Sequence, residues 1–70
     1  MAIVWERSGG AFYADADAAG GDRYHLIVED LPGGGWHWSV FLQTDGSRNV
    51  HSGTAGTAQE AMRAAEAAVS

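Results

Sequence analysis

The chain contains no cysteine and no lysine, only one proline, and no apolar run long enough to cross a bilayer. Each absence excludes something. Without cysteine there is no disulfide framework, no cysteine-bound zinc and no thiol nucleophile. Without lysine the usual phosphate-cradling loop lacks its cation, and catalysis has no lysine to draw on. Apolar runs such as Leu26-Ile27-Val28 fall far short of the roughly 20 residues a spanning helix needs. No basic segment followed by an apolar stretch opens the chain, so a cytoplasmic location is expected.

Seventy residues make one small domain, spanning 1–70. A chain of this size buries only about 60% of its unfolded surface. Nine acidic residues stand against four arginines, a formal charge of −5. Six of the acids, Glu6, Asp15, Asp17, Asp22, Glu29 and Asp30, lie in the first half, offset by Arg7 and Arg23 alone. Nucleic acids are bound largely through Lys and Arg contacts to phosphate, and anionic membranes attract the same residues. Neither partner is expected. The acids are also too scattered to imitate the regular charge rows of DNA, and they act as solubilising groups.

Ile3 to Arg7 is β-branched and aromatic and predicts a strand, stopped by Ser8-Gly9-Gly10. Phe12-Tyr13-Ala14 offers a weaker one. The Ala/Asp/Gly stretch from Asp15 to Asp22 reads as a loop. Tyr24 to Glu29 predicts a strand, ended by Pro32 and three glycines, and Trp36 to Gln43 alternates over eight residues. Thr44-Asp45-Gly46 fits a three-residue hairpin with Gly46 left-handed, pairing Val40 with Val50 and Trp38 with Ser52. A two-residue loop would set Val40 against His51, mixing apolar and polar faces, and is disfavoured.

The C-terminal segment, about 57–70, predicts a helix. Thr57-Ala58-Gln59-Glu60 is a capping box, and Ala58, Ala61, Met62, Ala65, Ala68 and Val69 form one apolar stripe. The expected fold is therefore α+β in two layers. An antiparallel β-meander of three to five strands carries the helix on one face. Tyr24, Leu26, Val28, Trp36, Trp38, Val40, Leu42 and Val50 should face the helix, joined by Ile3 and Trp5.

Trp36, Trp38 and Val40 read W-x-W-x-V, and Gly53, Ala55, Thr57, Glu60, Ala61, Ala64, Ala65 and Glu66 continue as G-x-A-x-T-x-x-E-A-x-x-A-A-E. Over about half the chain this pattern resembles a loose set of small bacterial and phage proteins with a β-meander and an Ala-rich final helix. The resemblance implies the fold and no activity. Alanine, glycine and arginine usage without lysine resembles that of proteins from GC-rich genomes. In size and acidity alone, the chain also resembles phage inhibitors of host defence such as anti-CRISPR proteins.

The candidate chemistry is sparse. Asp15 to Asp22 opens like a calcium loop, but Ala19 and Leu26 stand where oxygen ligands are required. The Gly33-Gly34-Gly35 turn joins two strands rather than a strand and a helix, so it is no phosphate loop. The expected pairing sets out the face away from the helix in rows: His25, Phe41 and Asn49; Ile27, Ser39 and His51; Glu29, His37 and Gly53. Row neighbours stand about 5 Å apart. His37, Glu29 and His51 then become conceivable metal ligands, and Ser39 a neighbour of His51. Neither set has the supporting groups of a metal or catalytic site, so no catalytic residue, metal or cofactor is assigned.

What remains is an apolar centre with a polar rim, formed by Arg23, His25, Ile27, His37, Phe41 and His51. That composition suits a protein interface. The expected function is a non-catalytic interaction module, either a homodimer or a small inhibitor or adaptor of a larger protein. The alternative is a small ligand- or metal-responsive protein using the histidines.

Overall fold

The period-two pattern of the first 55 residues builds a single sheet, in a computed structural model that describes residues 3–18, 20–44 and 46–69. Five strands, β1 (Glu6–Ser8), β2 (Ala11–Asp17), β3 (Arg23–Asp30), β4 (Trp36–Leu42) and β5 (Arg48–Ala55), run antiparallel in the order of the sequence. The helix α1 (Ala58–Val69) follows and packs across β3, β4 and β5. The architecture is α+β, an open sheet with one helix against one face.

The helix begins where the capping box places it. The Glu60 amide donates to Thr57 Oγ1 at 3.1 Å, and the Thr57 hydroxyl donates to Glu60 Oε1 at 3.1 Å. The carboxylate thus meets the hydroxyl, and the motif closes side chain on side chain. Ala61 and Ala65 are fully buried, while Ala58, Met62, Ala68 and Val69 flank them half-buried. Methyl groups let the helix settle close to the sheet. Beneath it Leu26, Val28 and Val40 reach 0% exposure, each stabilising the fold by roughly 1.5–3 kcal/mol through removal of apolar surface from water.

Residues 3–5 form no strand, although Ile3 and Trp5 were expected in one. Both still reach the core, while Val4 between them is 76% exposed. Trp5 Nε1 donates to Glu66 Oε2 at 2.7 Å, tying this segment to the helix that covers the same core. The first strand is instead the short Glu6–Ser8, paired with β2.

The acidic stretch is also corrected. Asp15, Ala16 and Asp17 belong to β2, where they pair with His25, Tyr24 and Arg23. Their pattern explains why. Ala14 and Ala16 are buried in the core at 5% and 9% exposure, and the aspartates alternate with them on the other face. Small inward residues had read as a loop because alanine carries little strand signal. Ala19 within this stretch, Asp45 in the β4–β5 hairpin and Ser70 at the helix end lie outside the described residues.

The β3–β4 register is the expected one, with His25 opposite Phe41, Ile27 opposite Ser39 and Glu29 opposite His37. The β4–β5 register holds only beside the turn. Phe41 faces Asn49 and Leu42 faces Arg48, and Gly46 takes the left-handed conformation at φ +100°. Between Val40 and Phe41 the register then shifts by one residue. Val40 lies opposite His51, Trp38 opposite Gly53 and Ser39 opposite Ser52. A β-bulge at Val50 resolves a conflict in the sequence. Val50 joins the core, and Gly53 must lie beneath Trp38. These two positions have opposite parity, and an unbroken strand cannot turn both inward. The Asn49 side-chain amide braces the irregularity, donating to the carbonyls of His51 at 3.2 Å and Val40 at 3.4 Å.

Candidate interaction face

Residues directly opposite one another in a sheet share a face, so the registers define the side turned away from the helix. One row holds Glu6, Tyr13, Ile27, Ser39 and Ser52. The next holds Asp15, His25, Phe41 and Asn49. On the far side of the central row lie Ala11, Glu29, His37 and Thr54, and Asp17 pairs with Arg23 at the opposite end. Among the described residues no other element packs over this face.

Five of the six residues expected there, Arg23, His25, Ile27, His37 and Phe41, fall on this face. His51 does not. The bulge at Val50 turns it to the parity of Val40, on the helix side, where it is exposed on the edge strand. His37, Glu29 and His51 therefore do not share a face, and the geometric basis for a three-ligand metal site is lost. No group of three or more potential metal-binding side chains occurs among the described residues. The expected neighbours Ser39 and His51 are likewise parted.

The face gains residues that sequence reasoning had placed elsewhere. Tyr13 stacks on His25 with ring centroids 6.1 Å apart and planes 22° from parallel. Asp15 Oδ1 lies 2.9 Å from His25 Nδ1, and Asp17 Oδ1 accepts from Arg23 Nε at 3.1 Å. Both aspartates remain 63% exposed, so these surface pairs add little stability. Their consequence is orientation, holding His25 and Arg23 toward β2. The signal that could have found them is the alternation of Tyr13, Asp15 and Asp17 with Phe12, Ala14 and Ala16.

At the centre sits Ser39, only 6% exposed although no element covers it. Ile27 stands opposite, and His37 and Phe41 flank it along the strand, all three half-buried. The Ser39 hydroxyl lies 3.4 Å from His37 Nδ1, a long contact within the strand. The larger side chains around Ser39 leave it almost no surface of its own. A separate cleft of about 230 Å³ opens at the β4–β5 hairpin, lined by Asp22, Leu42, Thr44, Gly46, Ser47 and Arg48. It is smaller than an ordinary ligand pocket.

The described residues contain no helix long and apolar enough to cross a membrane. Comparisons with protein-family models, with curated proteins and with solved structures found no match to this chain.

Proposed function

We propose that this chain is a non-catalytic protein-interaction module, which works by covering its free sheet face with a protein. The partner is either a second copy or a larger protein that the chain inhibits or bridges. One observation carries the reading: Tyr13, Ile27 and Phe41 lie half-buried at the middle of a face that no other element covers among the described residues, ringed by charged and polar side chains. An apolar centre within a polar rim is the anatomy of a binding surface. The catalytic alternative has little support. Ser39 is nearly inaccessible to a substrate.

The test uses Phe41→Glu. Phe41 turns away from the helix-side core, so the variant should keep its circular-dichroism spectrum. It should lose self-association in sedimentation, or lose proteins that the wild-type chain retains from lysate. A variant that stays folded and associates as well as wild type would refute the interaction reading. For comparison, Ile27→Glu tests the same face from β3.

A further inference from the structure

The free face of the sheet is anionic. The free face carries four carboxylates, Glu6, Asp15, Asp17 and Glu29, against one guanidinium, Arg23. With His25 and His37 neutral, three net negative charges lie on this face, out of −5 for the whole chain. Arg7 and Arg48, by contrast, lie opposite Phe12 and Leu42 on the helix side. Among the described residues Glu6 and Glu29 take part in no ion pair, and they stand next to Tyr13 and Ile27 respectively. These four acids border the apolar centre, while Asp30 lies on the helix side of the sheet and Glu60 and Glu66 on the helix itself.

Resting on the interaction reading above, we infer that the occupant of this face is a basic protein surface, one presenting Lys or Arg around an apolar side chain. A second copy fits badly. Two such faces brought together would set three net negative charges against three across a desolvated centre, and like charges juxtaposed in an interface are strongly unfavourable. Nucleic acid meets the same objection through its phosphates. A basic protein surface meets neither. Its apolar side chain lies against Ile27 and Phe41. Its cations reach Glu6 on one side and Glu29 on the other.

Area sets the class of complex. With strands about 4.8 Å apart and about 3.3 Å of rise per residue, one three-residue strand and four of seven or eight residues offer about 520 Å². Doubled, that lies at the small end of specific interfaces, the range of transient encounters. Electrostatic steering then contributes much of the association rate, and binding should weaken as salt rises.

The test titrates the full chain, labelled with nitrogen-15, with a capped synthetic peptide in which lysines alternate with threonines around one central tryptophan. Two control peptides replace every lysine by glutamate, or the tryptophan by glycine. The expected result is amide shifts concentrated around Tyr13, Ile27, Ser39 and Phe41, lost with either control and reduced at high salt. Glu6→Gln/Glu29→Gln should weaken binding while leaving the melting temperature unchanged, and Phe41→Ala should weaken it by about tenfold or more. Shifts centred on the helix, equal binding of the glutamate peptide, or tight binding of single-stranded DNA to this face would each overturn the inference. So would a wild-type dimer dissociated by Phe41→Glu, which would make the second copy the occupant and leave the interaction reading standing. A silent lysine peptide, with Phe41→Glu still abolishing capture from lysate, removes only the basic partner. If Phe41→Glu changes no association either, both readings fall.

Discussion

The indole of Trp38 lies directly over the backbone of Gly53, so close that a Cβ on Gly53 would stand 2.8 Å from Trp38 Cζ2 and 2.9 Å from its Nε1. The two residues face each other across β4 and β5. This contact accounts for the bulge, for the glycine, and for the loss of His51 from the free face. A register without the bulge would put the Ser52 side chain under the indole instead.

Gly53→Ala should therefore destabilise the fold by about 1–3 kcal/mol, the usual range for overpacking. Thermal melts check it. Combined with Trp38→Leu, the substitution should cost less than the sum of the two single changes, because removing the ring removes the clash. Additive effects would show that the indole is free to move aside.

Thr57→Ala should cost about 1 kcal/mol. It removes the acceptor for the Glu60 amide and the donor to the Glu60 carboxylate together. Thr57→Ser keeps both groups and should restore most of the loss. A melting temperature unchanged in Thr57→Ala would mean that the first helical turn contributes nothing to stability.

The bond from Trp5 to Glu66 joins residues 61 positions apart and is part-buried. Trp5→Phe removes the donor together with part of the indole's packing, at a cost of about 1 kcal/mol for the bond and more for the lost volume. Glu66→Ala should cost about as much as the bond alone. The pair should be non-additive in a double-mutant cycle read by denaturant unfolding. Independent effects would mean that the N-terminal segment is held by Ile3 and Trp5 packing alone.

Double-stranded DNA should not bind at physiological salt. The chain lacks lysine, Arg23 on the free face is engaged by Asp17, and that face is anionic. A gel shift at micromolar protein that fades with added salt would contradict this prediction.

Much of the fold is legible in the sequence because its strongest signals are local. Alternation from Trp36 to Gln43 makes a strand wherever it lies, and Thr57-Ala58-Gln59-Glu60 caps a helix through bonds within four residues. The β3–β4 register, and with it five of the six face residues, follows from matching two apolar patterns across one turn. Tertiary packing decided the rest. Alanine at positions 14 and 16 becomes strand core only because the sheet continues beyond β3 and apolar groups cover it. Asp15 and Asp17 then join the free face, and with Glu6 and Glu29 they make it anionic. His51 changes sides because Val50 and Gly53 must both turn inward, one to join the core and the other to lie under an indole from the neighbouring strand. Strand parity is a local property, but a bulge answers a demand set across the sheet, where Gly53 lies under Trp38 of the neighbouring strand.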